Sequence, residues 1–181
     1  LNGNCHFVFG ASVSTAVSLN AGKLIDLINT HTPLDTLSIN EYTVTLFIMG
    51  GLIGGIFPDI DSPNSYMGKL SAPVSTIIGK ISEQFGRTGC RHRGIFHDPI
   101  IYLIGLVLSF IYFPPLIGFF TGCLSHIFLD MFNPMGVPCI ITKRGLHLGN
   151  IYAGGRSATI FSYALSVVAL IIGFVCFYIY H

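Results

Sequence analysis

PIIYLIGLVLSFIYFPPLIGFFTGCLS, residues 99–125, holds no charged residue and no histidine, and carries Pro114 and Pro115 near its middle. Read as one helix it would extend about 40 Å at ~1.5 Å per residue. Proline inside a helix removes a backbone donor and clashes with the preceding turn, so a proline pair breaks or sharply bends the run. The two readings give different folds. A single rod holds the flanking His97 and His126 about 40 Å apart. A hairpin turning at Pro114-Pro115 sets them side by side, and the sequence is read here as that hairpin.

The composition suits apolar segments of this kind. Of 181 residues, 51% are hydrophobic and 9% are charged, against ~25% charged in an ordinary soluble domain. So little polar surface points to a bilayer as the solvent. The formal net charge of +1, with no basic stripe and no reading module, excludes nucleic acid as a partner. Five cysteines with no CxxC pair do not make a disulfide framework. No basic n-region precedes Cys5–Leu19, so a cleaved leader is not expected there.

Five further stretches complete the layout. Ala158 to Tyr180 is uncharged and long enough to cross a ~30 Å hydrocarbon core. Tyr42 to Pro58 is uncharged and contains Gly50, Gly51, Gly54 and Gly55, small residues that let membrane helices pack closely. Pro58 is expected to end that helix near Phe57. Residues 5–20 are apolar but rich in Ser and Thr, which suits a bundle interior. Residues 59–98 and 131–157 read as polar stretches rich in Gly, Pro, Ser and Asn. These two stretches hold every Lys and Arg except Lys23, which places both in the cytoplasm. The expected fold is all-α: one domain, residues 1–181, forming an integral membrane helical bundle of about five membrane segments. Its N-terminus is inside, its C-terminus outside, and a metal cluster sits at its cytoplasmic end.

Ionisable groups beside membrane segments are costly and mark function. His6 opens the first segment. Asp59 and Asp61, in FPDIDSP (57–63), close the second. RHRGIFHD (91–98) precedes the third and offers His92 and His97. SHIFLD (125–130) closes the fourth and offers His126 and Asp130, which share a helix face. Each motif has an ordinary explanation by itself: a capped turn for the aspartates, a basic lipid anchor for RHRGIFH, a helix-end pair for His126 and Asp130. In this layout, however, all of them meet on one membrane face. Imidazole with carboxylate suits zinc foremost, with manganese or iron as alternatives. Seven candidate ligands (His6, Asp59, Asp61, His92, His97, His126 and Asp130) exceed what one tetrahedral zinc uses. They point to two or three divalent ions, an arrangement that serves hydrolysis of phosphate esters.

FPDID (57–61), HRGIFH (92–97) and GCLSHIFLDMFNPMGVP (122–138) resemble the motifs of the bacterial membrane-bound metal-dependent hydrolases of the YdjM type, a LexA-regulated family. The resemblance covers most of the chain in order and spacing. His6 fits the family's N-terminal Gly-His position, with Cys5 in place of the glycine. Asp98 stands where the family usually has Ser, and KRGLHLGN (143–150) only loosely matches a basic stretch. The resemblance implies a helical inner-membrane protein, distantly similar to zinc-dependent phospholipase C and the P1-type nucleases.

The expected chemistry is attack of a metal-activated water on a phosphoester of a membrane lipid or lipid-linked substrate, reached from the cytoplasmic leaflet. One of Asp59 and Asp61 bridges the ions and the other orients the nucleophile. Arg93 grips a phosphate by a two-pronged contact, with Arg91 as neighbour or anchor. Lys143, Arg144 and His147 rim the site, and Asp98 donates a proton to the leaving group. An intramembrane protease is disfavoured, because neither Glu41 nor Glu83 adjoins a histidine as HExxH requires. The alternatives are a metal-binding transporter, whose ligands belong near mid-membrane, and a non-catalytic membrane protein stabilised by metal.

Overall fold

The computed structural model describes residues 3–23, 26, 30, 41–85, 94–139, 145–152 and 154–180. They form seven α-helices: α1 Gly3–Leu19, α2 Glu41–Gly54, α3 Tyr66–Leu70, α4 Ala72–Phe85, α5 Pro99–Tyr112, α6 Ile117–Asp130 and α7 Arg156–Tyr180. Three short 3₁₀ turns, Phe57–Asp61, Ile95–His97 and Pro114–Leu116, connect them. Among the described residues the only β pairing is an isolated bridge between Val137 and Leu146.

The hairpin read from the double proline is present. Phe113 caps α5, and Pro114 and Pro115 open a 3₁₀ turn that feeds directly into α6. Each arm has 14 residues, about 21 Å of helix. The start of α5 is equally local in origin. The Asp98 side chain accepts from the Ile100 N–H at 2.9 Å, with Pro99 in the first turn, where its missing N–H costs nothing.

Helices α1, α2 and α6 pack against one another as the centre, with α5 outside α6 and α7 outside α1. Glycine makes the centre possible. A Cβ on Gly54 would stand 2.1 Å from the Phe119 carbonyl oxygen, and one on Gly122 would stand 2.4 Å from that of Gly51. The backbones of α2 and α6 therefore touch directly, as small residues permit between membrane helices. Helix α1 fills the interior with hydroxyls, as its composition suggested. Ser12, Ser14 and Ser18 are buried and donate to the carbonyls of Val8, Gly118 and Thr15.

The outer helices reverse the soluble pattern. In α7, Ser162 and Ser166 face inward, while Val167, Val168, Ile171 and Ile172 are exposed. In α5, Tyr102 and Ser109 are buried, while Ile104, Val107 and Leu108 are exposed. By length and apolar composition, two runs among the described residues are able to cross a bilayer, Tyr42–Asp61 and Arg156–Ile179. Two details differ from the sequence reading. Helix α2 stops at Gly54, and Pro58 instead opens the 3₁₀ turn that follows. The stretch 59–98 is not merely polar connection, since it contains α3 and the 14-residue α4. Cys5, Cys123, Cys139 and Cys176 are free thiols.

Gly54→Ala is expected to force α2 from α6 and to destabilise the bundle by about 1–3 kcal/mol, the usual cost of overpacking. Thermal unfolding in detergent should show its Tm several degrees lower. Gly3→Ala, which meets nothing within 4 Å, should leave it unchanged.

Candidate metal centre

The up-and-down course of α1, α2, α5 and α6 brings four chain positions to one end of the bundle. These are the start of α1 with His6, the turn after α2 with Asp59 and Asp61, the turn before α5 with His97, and the end of α6 with His126 and Asp130. The His97 and His126 rings, which a straight 99–125 rod would have separated, lie 5.5 Å apart. The His6 and His126 rings stack at 3.8 Å.

Two overlapping donor groups result: His6, His126 and Asp130, and Asp59, His97 and His126. His6 Nε2 is 3.4 Å from Asp130 Oδ1, and His97 Nε2 is 3.5 Å from Asp59 Oδ1. His126 Nε2 is 3.6 Å from Asp59 Oδ1 and 3.9 Å from Asp130 Oδ2. These separations exceed the ~2.7–3.2 Å of an N–H···O hydrogen bond. They approach the roughly 3.3 Å edge of a tetrahedron built on ~2.0–2.1 Å zinc bonds. His126 Nε2 is buried and makes no hydrogen bond among the described residues. The donor types, their spacing and this buried nitrogen fit a divalent metal ion.

The tautomer of His126 is fixed from behind. Its Nδ1–H donates to the Gly55 carbonyl at 2.8 Å, which leaves the Nε2 lone pair directed at the carboxylates. This is the usual outer-shell arrangement of a metal-binding histidine. Gly55 has a second task. A Cβ there would come within 2.8 Å of the His6 carbonyl oxygen, so the missing side chain lets α1, which carries His6, close on the turn. Sequence reading missed the Gly55 carbonyl. Its only signal was the glycine pair before FPDID, which carries no chemistry on its face. It also missed Tyr102, whose hydroxyl donates to the Phe96 carbonyl at 2.6 Å and ties the His97 turn to α5.

The structure separates the two aspartates that the sequence left equivalent. Asp59 Oδ1 faces the Nε2 atoms of His97 and His126, and its side chain is 21% exposed. Asp61 is buried, accepts from the Gly94 N–H at 3.3 Å, and faces the other ring nitrogen of His97 at 3.8 Å. Asp59 thus belongs to the donor group, and Asp61 stands behind His97. Asp98 is buried and caps α5. His147 lies in the loop after the Val137–Leu146 bridge. His92, Arg91, Arg93, Lys143 and Arg144 lie outside the described residues.

Fold and site together define a class: a helical bundle with an apolar exterior and a buried histidine–carboxylate cluster at one end. The chain belongs to the YdjM inner membrane protein family, whose family model matches residues 2–180. Over 94 aligned residues it is 34% identical to "Inner membrane protein YdjM" of Escherichia coli (strain K12), and equally to the protein of that name from Shigella flexneri. The matched region is 47% of this chain and 43% of each relative, so it spans less than half the length of the curated relatives. No solved structure matches.

Elemental analysis of detergent-purified protein is expected to find zinc, manganese or iron, depleted in His126→Ala. Metal added back at 100 times its Kd should stabilise the wild type by about 2.7 kcal/mol, read as a rise in Tm that His126→Ala does not show.

Proposed function

We propose that this protein is a multi-pass inner-membrane hydrolase that cleaves a phosphoester of a lipid or lipid-linked substrate, with its site at the cytoplasmic face. The observation that carries the reading is the convergence of His6, Asp59, His97, His126 and Asp130 at one end of the bundle. Ligands at helix ends, rather than at mid-bundle, favour surface chemistry over conduction. The concentration of Lys and Arg in 59–98 and 131–157 supports a cytoplasmic orientation. Among the described residues, two spans have sufficient length. The remaining crossings of a five-segment layout would run through shorter helices, the α5–α6 hairpin and α1.

His6, His126 and Asp130, with Asp59 and His97, would hold the divalent ion or ions, zinc foremost. When bound, such an ion lowers the pKa of water towards neutrality and offsets the negative charge that builds on a phosphoryl group. The chain's own residues do the rest. Asp59, the most open carboxylate of the cluster, is placed to orient the attacking water and take its proton. Asp61 holds the Gly94 turn and so keeps His97 in position. His126 is held in one tautomer by the Gly55 carbonyl. Asp98 supports the start of α5. Arg93, next in sequence to the Gly94 that meets Asp61, supplies the guanidinium suited to a phosphate oxygen pair.

Purified protein, incubated with divalent metal and mixed micelles of phospholipid or polyprenyl phosphate, is expected to release head group or phosphate. Asp59→Asn should slow release at least ~100-fold, the scale of a lost general base, with helical circular dichroism unchanged. Metal-loaded wild type that releases nothing from any phosphomonoester or phosphodiester lipid would refute hydrolysis.

A further inference from the structure

Helix α4 is turned inside out. Its inward positions are Ser75, fully buried, with the half-buried Ile78 and Gly79. A Cβ on Gly79 would lie 2.8 Å from the Asp61 carbonyl oxygen, so this face rests on the aspartate-bearing turn. The apolar side chains point away: Val74, Ile77 and Ile81 are 50%, 61% and 49% exposed. At 3.6 residues per turn these three share a stripe about 60° wide. Thr76 and Lys80, also exposed, occupy the adjoining stripe. The helix therefore has three sides, one against the protein, one apolar and one polar.

An amphipathic helix in water buries its apolar stripe in the core. Here that stripe is the outer one, the same reversal seen in α5 and α7 of this inner-membrane family member. At 14 residues α4 is as short as each arm of the hairpin, but unlike those lysine-free arms it carries the exposed Lys80 and rests on the turn at the cluster end of the bundle. A three-sided helix of that length suits the plane of the interface. The charges agree. From Ser62 to the end of α4 at Phe85 the charged residues are Lys69, Lys80 and one acidic residue, Glu83. Both lysines are exposed.

We propose that α4 lies in the bilayer interface, with Val74, Ile77 and Ile81 among the acyl chains and Lys69 and Lys80 on anionic phospholipid head groups. A second copy of the chain is a poorer occupant. A twofold contact through this stripe sets two lysines of each copy against one acidic residue, Glu83, of the other. Because its inner face is seated on the Asp61 turn, α4 holds the head groups of that leaflet beside the Asp59 side of the cluster, whatever chemistry the cluster performs.

The chain contains no tryptophan, so a single introduced Trp reports alone. Ile77→Trp and Val74→Trp, in the full chain reconstituted into vesicles of phosphatidylethanolamine and phosphatidylglycerol, are read with acyl-brominated lipid as quencher. Both are expected to be quenched about as strongly as Ile171→Trp in α7, and Thr76→Trp less than half as strongly. Ile81→Trp should be quenched at least twofold more by brominated phosphatidylglycerol than by brominated phosphatidylcholine, and equally by both once Lys69→Gln and Lys80→Gln are added. Helical circular dichroism verifies each variant, and either of positions 74 and 77 suffices if the other fails to fold. Absence of quenching there, with Ile171→Trp quenched, overturns the proposal. Red-shifted emission would then mean a water-exposed face, and blue-shifted emission one covered by a second copy. Equal quenching of Ile81→Trp by both lipids in the otherwise unaltered chain overturns the lysine contacts.

Discussion

The structure depends on direct backbone contact between α1, α2 and α6. Lipid supplies no hydrophobic drive for one helix to prefer another, so close packing and interhelical hydrogen bonds must set the arrangement. Gly54 and Gly122 provide the first, and the Ser14 hydroxyl reaching the Gly118 carbonyl provides the second. The same contact sets the site. Gly55 sits between two histidines, with no Cβ to push away the His6 turn and with its carbonyl holding His126 Nδ1–H. A shift of one residue between α2 and α6 would remove that carbonyl from His126 and Asp59 from both imidazoles. Packing and chemistry are therefore one constraint at this end of the bundle.

Much of this was legible in the sequence because its signals are local or absolute. Pro114-Pro115 cannot continue a helix, so the hairpin followed, and with it the meeting of His97 and His126. The run to Tyr180 is long and uncharged, so α7 was plain. His6, Asp59, His97, His126 and Asp130 are polar groups at the ends of apolar segments, and such groups need a reason. Helix α4 was not legible, because its most buried position is Ser75 while Val74, Ile77 and Ile81 are exposed. Its Gly, Pro and Ser put it in the polar stretch 59–98. The roles of Asp59 and Asp61 were not legible either. Two carboxylates two residues apart look equivalent until the 3₁₀ turn aims one at the imidazole Nε2 atoms and the other at the back of His97.

The inside-out arrangement also explains how so polar a cluster is tolerated. Its carboxylates and imidazoles face one another at the end of the bundle, while the exposed side chains of α5 and α7 are aliphatic. A charged group in contact with hydrocarbon is expensive, and such groups normally face the bundle interior and pair with one another. Here the partners come from four separate chain segments, so the cluster also ties those segments together. Tyr102 adds a neutral brace by binding the Phe96 carbonyl from within α5. Asp98 adds another by capping the same helix.

The charge balance of the cluster bears on what it could hold. Asp59, Asp61 and Asp130 bring three carboxylates into a site whose other members are imidazoles, and two of the three are buried. Uncompensated buried charge costs several kcal/mol per ion, so positive charge has to come from somewhere. His6 and His126 stack face to face at 3.8 Å, and two imidazolium rings at that distance repel across little screening solvent. His126 already spends its Nδ1–H on the Gly55 carbonyl, which leaves its Nε2 lone pair facing Asp59 and Asp130. A cation seated between the nitrogens and the carboxylates faces no such conflict. It uses the imidazole lone pairs instead of opposing them, and it draws in the donors whose 3.4–3.9 Å spacings are too long for hydrogen bonds to each other.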